Sequence, residues 1–154
     1  MHWLAALLAQ PWELVGRILL AAILGGIVGG EREYHGHTAG LRTNILVAVG
    51  ACLFTILSVE GFPTANNLIH DPTRLAAQIV SGIGFLGAGA VFRDNDRVRG
   101  LTTAATIWLM AAIGIAAGVG SYFLAIVTTI ITIIVLVVLL PISERLAMHS
   151  RKRE

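Results

Sequence analysis

Residues Gly25 to Thr43 read GGIVGGEREYHGHTAGLRT: a glycine run leads into Glu31, Arg32 and Glu33, then His35 and His37, then Arg42 and Thr43 where a new apolar run begins. Three chemistries could use that pattern. Glycine and threonine at a helix start leave backbone N–H groups at the positive end of the helix dipole, where a neighbouring arginine favours a phosphate or carboxylate. Alternating carboxylates and imidazoles could hold a transition metal, but the spacing is not helical and such a loop offers no outer groups to orient the ligands. The simplest reading is the turn of a membrane hairpin, with threonine capping a helix and arginines marking the cytoplasmic face.

A second charged group, Arg93, Asp94, Asp96, Arg97 and Arg99, precedes Thr102 and Thr103 at the start of another apolar run. If the helices bundle, the two groups converge. The candidate ligand- or partner-binding residues are Arg17, Glu31, Arg32, Arg42, Thr43, Asn44, Arg97, Arg99, Thr102 and Thr103. Arg17 is distinct because it falls inside an apolar run, where an unpaired arginine costs about 3 kcal/mol at mid-depth. Glu13, four residues earlier in the favourable acid-first order, and Glu60 at the end of the next run are its candidate partners. Asn44, Gln78 and Ser81 are expected to bond between helices. Glu60, His70 and Asp71 form a sparse acidic patch that could attract Mg²⁺ weakly, without the converging carboxylates the ion prefers. No metal site is assigned, and no apolar run has an acid at its centre, which argues against a cation path through one chain.

Nothing in the sequence points to catalysis. It has no GxSxG, no HExxH and no Walker lysine, so neither an enzyme nor a cofactor is expected. The tail SERLAMHSRKRE directly follows an apolar run and reads as a helix end touching anionic lipid, not as a nucleic-acid arm.

The elements that must position these residues follow from composition. Of 154 residues, 56% are hydrophobic and 13% charged, too few charges to solvate a water-soluble domain. The apolar runs have about the ~20 residues that a helix needs to cross ~30 Å of hydrocarbon. The fold expected is an all-α polytopic membrane bundle of five helices, roughly Pro11 to Gly30, Leu41 to Val59, Leu75 to Phe92, Leu101 to Val119 and Ser121 to Leu140. Residues 1–10 would lie at the interface, 11–141 form the membrane domain, and 142–154 make a basic tail. The opening MHWLAALLAQ lacks the basic start of a cleavable signal peptide. Nine of the eleven basic residues fall on one side of this topology, which predicts those loops and the C-terminus in the cytoplasm and the N-terminus outside. Cys52 is the lone cysteine, so no internal disulfide can form.

Small residues suggest where helices touch. Gly26, Gly29 and Gly30 in the first run, and Gly82, Gly84, Gly87 and Gly89 in the third, are expected to pack helix on helix. The GxGxxG within the third run lacks the strand before it that a dinucleotide site requires. The β-branched fifth run is placed at the periphery, against lipid. A shift of about 60 residues lays GLRT at Gly40 over GLTT at Gly100, so two hairpins could be parallel repeats about an axis along the membrane normal.

Four ordered blocks, LGGIVGGERE, AGLRTNILVAVGA, SGIGFLGAGAVF and VRGLTTAATIW, resemble the membrane domain of the MgtC/SapB family from about residue 14 to residue 119. The resemblance implies a bacterial inner-membrane protein of a family linked to growth under magnesium limitation and survival inside host cells. It implies action on other membrane proteins, the proton-driven ATP synthase among them, and not an established magnesium transporter. The family's polar positions would be Arg17, Glu31, Arg32, Arg42, Thr43, Arg99, Thr102, Thr103 and Trp108. Longer members carry a soluble C-terminal domain after the last helix, and any binding it performs is not expected of these residues. The combined expectation is a non-enzymatic modulator of ion homeostasis or of a partner membrane protein, itself a homo-oligomer, a dimer by preference. The alternatives are a small Mg²⁺ or proton transporter, or a binder of lipid or an anionic metabolite at the hairpin ends.

Overall fold

The computed structural model describes residues 12–60, 73–94 and 97–150. The expected interfacial segment 1–10, His70 and Asp71 of the expected acidic patch, Asp96 and the last basic residues of the tail lie outside them. Among the described residues five helices form, in chain order α1 Trp12–Tyr34, α2 Leu41–Glu60, α3 Thr73–Ala90, α4 Leu101–Gly118 and α5 Tyr122–Ser150. Four of them are long and apolar enough to cross a membrane, and α3 contributes a shorter apolar stretch, Ala76–Ala90. The last helix runs ten residues beyond the expected Leu140. The connection before α4, expected to be a plain loop, holds a two-stranded antiparallel ribbon, β1 Phe92–Asp94 and β2 Arg97–Arg99, with Phe92 opposite Arg99 and Arg93 opposite Val98.

Glycine ends two helices by the same device. Gly36 adopts φ 70, its N–H donates to the Glu33 carbonyl at 3.0 Å, and the His37 N–H reaches back to Arg32 at 3.0 Å. Gly120 at φ 79 repeats the pattern, with Ser121 N–H donating to the Ala116 carbonyl at 2.8 Å. Both are Schellman endings, which satisfy carbonyls that would otherwise be orphaned at a helix terminus.

Helix α4 is the hub and touches each of the other four. Its buried Met110, Ile113 and Ala117 meet Ala21, Leu24 and Val28 of α1, Ala48, Cys52 and Ile56 of α2, and Ala125 and Leu136 of α5 in one apolar core. Close approach of α1 to α2 comes from Gly25 and Gly29: a Cβ at Gly25 would lie 2.8 Å from the Asn44 carbonyl oxygen, and one at Gly29 2.8 Å from Leu41 Cα. Gly114 and Gly118 bring α4 equally close to α2, against the Ala48 and Cys52 carbonyls.

Within one copy of the chain, most glycines of the third helix do not pack as expected among the described residues. Gly82, Gly84 and Gly89 have no neighbour within 4 Å of a would-be Cβ, nor has Gly30, while Gly26 and Gly87 make ordinary contacts with Ile45 and Ala104. Of its described side-chain positions, α3 buries Gly87 alone. The fifth helix is the least buried of the four long apolar helices, as its expected peripheral place requires, and α3 shares the periphery with it. Helix α5 buries a stripe, Ala125, Thr129, Thr132 and Leu136, at the spacing of one helical face. The threonine hydroxyls on that stripe bond carbonyls of their own helix, Thr129 to Ala125 at 2.8 Å and Thr132 to Thr128 at 2.7 Å. β-branched residues therefore do not keep α5 from packing, because small and self-satisfied side chains line its inner face.

Candidate functional site

The polar side chains gather at the two ends of the bundle. At one end lie the start of α1, the ends of α2 and α4 and the start of α5, drawn together by Arg17. Its Nη1 donates to Glu60 Oε1 at 2.9 Å and to the Gly118 carbonyl at 2.9 Å, and its Nη2 donates to Glu13 Oε1 at 2.8 Å. The Tyr122 hydroxyl donates to the same Glu13 oxygen at 3.2 Å. Gly120 leaves room for the guanidinium, which stands 3.7 Å from where its Cβ would be. Both carboxylates named from the sequence engage Arg17, and the guanidinium closes four helix ends. Tyr122 and the Gly118 carbonyl had no signal in the sequence pattern.

At the other end, Arg32 is 2% exposed in the last turn of α1, and its Nη2 donates to Thr103 Oγ1 on α4 at 3.3 Å. Its Nε has no partner. Next to it, Glu31 turns one oxygen to His35 Nδ1 at 3.1 Å and leaves buried Oε2 unpartnered. Asn44, fully buried on α2, donates from Nδ2 to the Ala39 and Gly40 carbonyls at 3.0 and 2.8 Å, while its Oδ1 is unpartnered. It therefore locks the turn that starts α2 and is not a bond between helices. Threonine does not cap α2 either: Glu33 Oε2 accepts the Leu41 N–H at 2.7 Å, and Gly40 sits against the same carboxylate. Gly100 begins α4 at φ 87 with no side-chain cap. A side chain there would collide with the Ala90 carbonyl at the end of α3.

The remaining candidates divide. Thr103 joins Arg32 in the interior. Arg42 and Thr102 are exposed and Thr43 is half-buried. Arg99 is exposed on the ribbon and pairs through Nε with Asp94 Oδ2 at 3.3 Å, and Arg97 stands opposite Asp94 in the register. His37, half-buried in the α1–α2 connection, has its pKa held below the ordinary imidazole value by burial and then by the nearby Arg32 charge. Among the described residues no three of His, Cys, Asp and Glu gather as a metal site would require. What the Arg32 end can do is hold charge. A buried guanidinium with one long hydrogen bond, beside two unpartnered buried acceptors, is under-satisfied by the chain itself.

The MgtC family pattern matches residues 18–145. The chain is 47% identical over 123 residues to "Putative magnesium transporter YhiD" of Escherichia coli, covering 78% of this chain and 57% of that protein. It is 45% identical over 129 residues to Protein MgtC of Salmonella typhimurium, covering 84% of this chain and 53% of that protein. It is 47% identical over 135 residues to Protein MgtC of Brucella abortus, covering 86% and 54%. The chain thus spans about half the length of the curated relatives it matches. No solved structure matches it. With four helices fit to cross a bilayer and this match along most of its length, the protein is a membrane protein and belongs to the MgtC family.

Proposed function

We propose that this chain works in the bacterial inner membrane as a non-enzymatic modulator of ion homeostasis, magnesium above all, acting on a partner membrane protein and as a homo-oligomer. The carrying observation is the separation of its polar groups. The Arg17 and Arg32 clusters sit at opposite ends, and between them the core is Ala21, Leu24, Val28, Ala48, Cys52, Met110 and Ile113, with no ionised side chain among the described residues. A cation crossing one chain would meet no acid or open polar path at mid-depth, where transport sites require one. The relatives' names connect the family to magnesium, and modulation reconciles that connection with a closed core. The Arg32 end faces the cytoplasm in this reading, because arginines concentrate in the connections there.

Reconstitution in liposomes loaded with a Mg²⁺ or pH indicator tests it. Purified full chain should pass neither ion faster than empty vesicles, while crosslinking in native membranes should capture a second membrane protein. Flux that is abolished by Arg32→Met would overturn the proposal in favour of a transporter formed between copies.

A further inference from the structure

The α2–α3 seam is open. A groove of about 450 Å³ runs between them, walled by Leu46, Gly50 and Phe54 on α2 and by Gln78, Gly82 and Leu86 on α3. A second of about 520 Å³ takes over at Leu86 and continues to the Arg32 end past Thr43, Gly89 and Phe92. From Phe54 to Thr43 the helix rises about 16 Å at 1.5 Å per residue, close to half of the ~30 Å hydrocarbon core. Gly50, Gly82 and Gly89 have nothing within 4 Å of a would-be Cβ, so the space is not filled by the described residues. Its walls are apolar apart from Gln78 at one end and the threonines Thr38 and Thr43 at the other.

Two arginines flank that end of the groove. Arg42, next to Thr43, is exposed and has no hydrogen bond or ion pair among the described residues. Phe92 lines the groove, and Arg99 lies directly opposite it in the ribbon, so both are on one face. Arg99 is shared with Asp94 at 3.3 Å but is 62% exposed and open to a second anion. A one-leaflet apolar slot ending in hydroxyls and guanidinium groups matches an amphiphile with an anionic head, the arrangement by which basic pockets between membrane helices take acidic headgroups.

We propose that the α2–α3 groove is a binding site for one anionic phospholipid, with an acyl chain laid between Gly50 and Gly82 and the phosphate held by Arg42, Arg99 and the Thr43 hydroxyl. The lipid fills space that would otherwise forfeit dispersion contacts along both helices. It also ties the start of α2 to the ribbon, the two segments that flank the Arg32 end.

Native mass spectrometry of the full chain in detergent, with phosphatidylglycerol or phosphatidylcholine added, tests the site. Phosphatidylglycerol should be retained as a single adduct and phosphatidylcholine should not. Arg42→Gln and Arg99→Gln should each weaken retention about fivefold, the effect of one juxtamembrane cation. Gly89→Leu should abolish it by occupying the groove, and Gly50→Leu should do the same from the opposite wall, with the melting temperature checking that each variant folds. Equal retention of the two lipids, retention unchanged in both leucine variants, or displacement by inorganic phosphate alone would overturn the proposal. So would disulfide crosslinking of Gly82→Cys between two copies in native membranes, because the groove would then hold a second chain.

Discussion

Arg32 of α1 and Thr103 of α4 meet 71 residues apart in the chain, guanidinium nitrogen to hydroxyl at 3.3 Å, with both side chains buried. The charge has no carboxylate in salt-bridge contact among the described residues, since its neighbour Glu31 turns to His35. A buried cation held by a single neutral acceptor is costly for a membrane bundle.

Two substitutions separate use from stability. Thr103→Val removes the hydroxyl and leaves the guanidinium without its hydrogen bond, which should destabilise the detergent-solubilised protein by about 1–3 kcal/mol in thermal unfolding. Arg32→Met removes the charge together with its requirement for a partner and should leave the melting temperature unchanged or higher, as replacing buried ions by apolar isosteres often does. The same Arg32→Met chain should fail to support growth at low magnesium in cells that depend on it. Full growth with Arg32→Met would assign Arg32 a purely structural part.

The glycines of α4 and α3 should respond in opposite senses. A methyl at Gly114 would overlap the Ala48 carbonyl and lie 2.8 Å from Ala51 Cβ. Gly114→Ala should therefore force α4 off α2 and cost about 1–3 kcal/mol, as overpacking does. Gly84→Ala enters open space and removes a flexible residue from a helix, so its melting temperature should stay level or rise. Paired melting curves of the two variants decide the matter.

These glycines also show how far the sequence could be read. Helix number and approximate bounds were legible because apolar length is a direct demand of the bilayer. The partner of each glycine was not. Gly114 and Gly118 carry the same four-residue spacing as Gly25 and Gly29, yet the denser cluster lies in α3, whose Gly82, Gly84 and Gly89 touch nothing among the described residues. Spacing says that a face is small without saying which helix lies against it. At the Arg32 end the charges were visible, but burial was not: Arg32 and Arg42 are both arginines at a helix terminus, and only the α1–α4 crossing distinguishes the interior one from the exposed one. The ribbon was missed because RDNDRVR reads as a charged turn, and its three pairs rest on backbone bonds that leave little mark in composition.

Arg17 ties four helix ends through two acids of unequal exposure. Glu60 is 39% exposed and links α1 to the end of α2, while Glu13 is 67% exposed and lies on the same helix as Arg17. Glu60→Gln should consequently lower the melting temperature more than Glu13→Gln, and raising the salt concentration should weaken the Glu13 pair first. Arg17→Leu should lose both contributions at once and make the Glu60→Gln change silent in a double-mutant cycle. An additive cycle would show that Glu60 acts through some other contact.

The α1–α2 connection should respond to acid through His37. Its pKa lies below the usual 6.5 because burial and the Arg32 charge oppose the imidazolium. The unfolded chain therefore takes up the proton first as pH falls through about 6.5, and stability must rise with pH in the interval between the folded value and 6.5. Below the folded value both states are protonated and the dependence from this residue ends. Melting temperatures recorded between about pH 5 and 8 should fall on the acid side, and His37→Gln should flatten that slope. In Arg32→Met one of the two opposing causes is gone, so the imidazole resonance of His37 should titrate closer to its ordinary value. An unmoved His37 titration in Arg32→Met would mean that the two residues do not sense each other's charge, and the Arg32 end would lose its link to the connection above it.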